Sequence, residues 1–87
     1  MYVNIGGDIS VPSGSVSVII NLETVPASDR KVTDFIKSED DSNRLQYLTS
    51  DIPRTLIVTD TKSYISSISS AVLAKRLEHN SYNSVKN

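Results

Sequence analysis

The side chains that could carry chemistry are few and dispersed. Nucleophilic catalysis needs a Ser, Cys or Lys activated by a neighbouring base. The chain has no cysteine and one histidine, His79, at the end of a helical pattern beside a polar tail. Serines crowd residues 63–70, but strand alternation and helix capping account for most of them. Paired carboxylates for acid-base work need a cleft that separates their pKa values, and the acidic run Glu39, Asp40, Asp41 lies in a stretch, 38–43, that reads as a solvated loop. That run lacks the alternating oxygens, turn glycine and closing glutamate of a calcium loop. Gly6 and Gly7 have no Lys-Ser/Thr after them and no dinucleotide spacing, so they read as a turn and not a phosphate cradle. These residues predict a protein that is not an enzyme and has no cofactor or metal.

Binding chemistry is the better prospect, and it is basic. Arg44, Arg54 and Lys62 fall near predicted strand ends, while Arg30, Lys31, Lys75 and Arg76 fall on predicted helices. Solvated surface is the default for each. Nine Lys and Arg against ten Asp and Glu give a formal charge of −1, so the protein's overall field does not attract nucleic acid. Any phosphate site must come from local clustering.

The elements that would position these groups are built around residues 53–76. Thr55, Leu56, Ile57, Val58 and Thr59 favour a mostly buried strand. Asp60, Thr61 and Lys62 make a polar break, and Ser63–Ser66 returns as a second strand of a hairpin. Ser69 stands where an N-cap is wanted. Ile68 before it and Leu73 four helical positions in are spaced for a hydrophobic staple, with Leu77 on the same face as Leu73.

Upstream, Val3 and Ile5 alternate with Tyr2 and Asn4, and the Gly6, Gly7, Asp8 turn leads into Ile9, Ser10 and Val11 as a second short strand. After a turn over 12–15, Val16, Val18, Ile20 and Leu22 line one face of a longer strand, predicted to be central. Ser28 is placed to cap a helix with Val32, Phe35 and Ile36 as its stripe, Asp29 early and Lys37 late in accord with the helix dipole. Residues 44–49 alternate as a further strand, and 50–53 form a loop. The predicted fold class is α+β: a small single domain over 1–79, with about five or six short antiparallel strands and two helices. Residues 80–87 are too polar to order themselves.

At 87 residues such a domain buries only about 60% of its unfolded surface. Without cysteine or metal to staple it, oligomerisation is the remaining source of buried area. No apolar run approaches the roughly 18 residues of a spanning helix, and the start lacks the pattern of an export signal. A cytoplasmic homo-oligomer without membrane contact is expected.

The order IVTDTKSYISSISSAVLAKR, with the opening YVNIGGD, resembles the RemA/RemB family of bacterial extracellular matrix regulatory proteins, more closely its RemB branch. The likeness extends over most of residues 1–80. It implies a regulator of matrix and biofilm gene transcription that assembles into a ring and touches DNA through arginines repeated around it. Avidity lets a near-neutral domain do this, since identical protomers multiply weak phosphate contacts. The turn over 12–15, where RemA-like proteins carry arginine, has no basic residue here, and Asp51 and Ile52 stand where they have adjacent arginines. Arg54 alone matches a further arginine of that loop. Two expectations follow: a ring whose Arg54, Arg44 and Lys62 contact duplex DNA, or an oligomeric protein-interaction module, with a RemA-like protein as partner, that does not bind DNA.

Overall fold

The computed structural model describes residues 1–26 and 28–78 in full and 79–86 as helix backbone only; the expected disorder of residues 80–87 lies outside that description. The chain forms β1 (Tyr2–Gly6), β2 (Ile9–Pro12), a 3-10 turn (Ser13–Ser15), β3 (Val16–Asn21), α1 (Arg30–Asp41), β4 (Leu45–Tyr47), β5 (Thr55–Thr59), β6 (Ser63–Ser66) and α2 (Ser70–Lys86). This is the expected small α+β domain, its two helices set against a two-stranded sheet and a four-stranded one ordered β3-β5-β6-β4. Among the described residues no helix is long and apolar enough to cross a membrane.

The β5–β6 hairpin forms as its residue pattern dictates, with Leu56 opposite Ile65 and Ile57 opposite Tyr64. Thr59 closes its turn, its hydroxyl donating to the Lys62 carbonyl at 2.7 Å and accepting from Lys62 N at 3.0 Å. The α2 cap is Ser69, whose hydroxyl accepts from Val72 N at 3.3 Å. Ile68 packs, as a staple requires, against the core that Leu73 forms with Val3, Ile5, Val11, Ile57 and Tyr64. One face of the large sheet is thereby covered by the first hairpin and α2. Ser66 ties them together, donating to Ile5 O at 2.6 Å and accepting from Ile68 N at 3.1 Å.

Several expectations are corrected. The strand β3 is an edge and not central, bonded on one side to β5. Its pairing slips between Val16 and Val18, so that Ile19 lies opposite Ile57. The extra residue at this bulge inverts the alternation downstream, so Ile19 joins Val16 on the core while Val18 is 45% exposed. Short β4 pairs with β6 in parallel, which the expectation of antiparallel strands missed; the crossover such a pair needs is residues 48–62, which pass through β5 on the far side of β6.

The cap of α1 is Asp29 and not Ser28: its carboxylate accepts from Lys31 N at 3.0 Å and Val32 N at 3.3 Å. Much of the supposed loop 38–43 belongs to the last turn of α1, so Lys37 is interior to the helix and not near its end. The helix ends at Asp41, and Asn43, one residue past its Ser42 cap, adopts φ 59°. Asn43 N donates to Asp40 O at 3.1 Å and Arg44 N to Glu39 O at 2.8 Å, the paired bonds of a left-handed helix end. That turn folds Arg44 back over Glu39.

Candidate nucleic-acid interface

The three basic residues singled out in the sequence do not converge. Arg54 directly precedes β5, whereas Lys62 follows the turn at its other end, level with Thr59 and about 16 Å away along the strand. Arg44 stands beside Lys62, since Ser63 N donates to Arg44 O at 2.8 Å and the parallel register sets Leu45 next to Ser63. The result is one arginine at one end of the sheet and two cations at the other.

Arg54 is held from its backbone. Its N–H donates to Ser66 O at 2.9 Å and its carbonyl accepts from Leu22 N at 3.0 Å, which locks it between β6 and the end of β3. The side chain, 44% exposed, pairs with Glu23 at 3.2 Å and borders an open depression with Ser50, Asp51, Ile52 and Ser67. Glu23 is equally exposed at 46%, so the pair contributes roughly 0–1 kcal/mol. An incoming phosphate can displace it.

Arg44 is differently engaged. Its Nε meets Glu39 Oε2 at 3.1 Å, and Glu39 Oε1 accepts from the Ser63 hydroxyl at 2.6 Å. Glu39 is nearly buried, so Arg44 and Ser63 together satisfy a carboxylate that would otherwise be stranded. Lys62 is exposed and joins no ion pair among the described residues.

The Ser63 hydrogen bond is the main reason the Glu39 carboxyl titrates below the ordinary 4.5; lost solvation pulls it up, and the hydrogen bond and charge of Arg44 pull it down again. Since the folded value is depressed, this contribution to stability is complete above the unfolded value and disappears as pH falls through the folded one. Urea titrations at about pH 7 and about pH 3 should therefore show a larger loss of stability for the native chain than for Glu39→Gln. Equal losses in the two proteins would remove Glu39 from the account.

Sequence reasoning missed Glu39, Ser63 and Glu23. Glu39 precedes Arg44 by five residues, a spacing that brings side chains together only after a left-handed helix end. No local signal marks Ser63 or Glu23. A family model described as RemA-like, extracellular matrix regulatory protein A-like, matches residues 2–77. No curated protein matches the chain.

Proposed function

The chain belongs to the RemA-like family of extracellular matrix regulatory proteins, and we propose that it is a non-enzymatic, cytoplasmic regulator of matrix and biofilm genes that works as a ring-shaped homo-oligomer on duplex DNA. Its opening hairpin and residues 57–76 support a place nearer the RemB branch. The observation that carries the reading is Arg54. Its backbone is pinned on both sides, while its guanidinium is half exposed beside the hydroxyls of Ser50 and Ser67. A planar, permanently charged fork on a rigid strand end is suited to phosphate. Around a ring the same fork recurs once per protomer, and Lys62 adds charge at the other end of the sheet.

Fluorescence-anisotropy titration of duplex DNA tests this. Binding should fall steeply with salt, and Arg54→Ala should weaken it about tenfold or more, since a charge-assisted hydrogen bond contributes about 1.5–3 kcal/mol. The salt slope should shrink by about 0.9 for each phosphate that is no longer neutralised. An assembled protein that binds no DNA at low salt would defeat the reading.

That outcome would favour an oligomeric module that binds a protein, such as a RemA-like partner, through the same depression. Asp51 and Glu23 bring acid beside Arg54, and Ile52 is 80% exposed there, a mixture that suits a protein surface better than a phosphate backbone.

A further inference from the structure

Past its Asp29 cap, helix α1 carries charge against its own dipole. Anions stabilise a first turn and cations a last one, yet Arg30 and Lys31 open this helix and Asp40 and Asp41 close it. On its solvent side Arg30, Asp34, Lys37 and Asp41, all exposed, have the alternating four- and three-residue spacing of a single helix seam. Their signs alternate. Arg30 with Asp34, and Lys37 with Asp41, are i, i+4 pairs in the poorer order, cation first. Neither closes: the ion pairs among the described residues are Arg44 with Glu39 and Arg54 with Glu23. Shallow depressions border the seam, one with Ser28, Arg30 and Thr33, the other with Lys37, Ser38 and Asp41.

Against a copy of itself running antiparallel, this seam is its own complement. Arg30 meets Asp41 of the second copy, Asp34 meets Lys37, and the two-fold axis repeats both pairs. At the flanks Lys31 comes opposite Ser38 and Thr33 opposite Asp40, so like charges do not meet. A parallel copy in register would set like against like along the whole seam. We propose that the exposed face of α1 is a two-fold docking surface for a second copy of this chain, with Arg30, Asp34, Lys37 and Asp41 fixing its antiparallel register. Such a contact is isologous. It goes beyond the ring reading, because a ring closes through head-to-tail contacts.

Sedimentation velocity on two charge-reversed proteins tests it. Arg30→Glu with Lys37→Glu makes the seam wholly acidic, and Asp34→Lys with Asp41→Lys makes it wholly basic. Arg30→Glu and Asp41→Lys also correct the dipole, so loss of fold is not expected, and circular dichroism checks this. The native chain should show a doubling of mass at about 0.01 M salt that disappears at about 1 M, as the screening length falls from about 30 Å to about 3 Å. Each variant alone should pair at least about tenfold more weakly, because like charges then oppose. Mixing the two should restore the doubling. Native protein without a doubling, variants that double unaided, or a mixture of folded variants that stays apart would each overturn the proposal. A ring that persists in both variants separates this contact from ring assembly, and a chain that pairs through α1 but forms no larger assembly would defeat the ring alone.

Discussion

Replacing Leu73 by alanine is expected to lower the unfolding free energy by about 2–5 kcal/mol, the range for a buried leucine truncated to leave a cavity. Leu73 is 1% exposed and packs where α2 meets the first hairpin and the β5–β6 hairpin. It is also the helical half of the staple with Ile68, so its loss loosens the angle at which α2 leaves β6. A domain of this size has roughly 5–15 kcal/mol in total, and the variant should unfold at a visibly lower denaturant midpoint. Val72→Ala on the adjoining, exposed position should change stability by no more than about 0.5 kcal/mol. Equal effects at the two positions would mean that α2 does not dock through Leu73.

Gly6→Ala should be comparably damaging, by about 2–6 kcal/mol, from two sources. Gly6 has φ 141°, a region nearly closed to residues with a Cβ and costing about 1–3 kcal/mol. A Cβ there would also lie 2.8 Å from Ser66 Oγ. That hydroxyl is buried and bonded to both Ile5 O and Ile68 N, so displacing it leaves polar groups unsatisfied at about 1–3 kcal/mol more. Gly14→Ala is the control, because nothing lies within 4 Å of its added methyl. Thermal or urea unfolding separates them; similar midpoints for the two variants would show that the Gly6 turn adapts freely.

The parts of the fold legible in the sequence are those with local causes. The β5–β6 hairpin, the Ser69 cap, the staple and the Gly6-Gly7 turn each depend on residues a few positions apart. The errors arose where the cause was distant. Periodicity cannot show a bulge, because Val16, Val18 and Ile20 alternate correctly until the pairing with β5 skips a residue. The run from Ser38 to Asp41 reads as loop because its acids repel each other; in the fold Glu39 is instead withdrawn to Ser63 and Arg44. The candidate site was legible only as a set of residue types. Arg54 and Lys62 are exposed, as their charge suggests, but their separation along β5 is a matter of tertiary register.

The Ser66 clasp also sets an order of events. It joins residues 61 positions apart, and Arg76 reaches Asn4 O at 2.8 Å across 72. A lone two-stranded hairpin is marginal in water, and β1–β2 is laddered to no other strand. During synthesis, at about 5–20 residues per second, the first hairpin must therefore wait for β6 and α2 to emerge from the ribosome. The hairpin becomes secure only with elements made after it, and the rate of that closure, not of any local turn, governs how long the growing chain leaves Val3, Ile5 and Val11 open to the wrong partner.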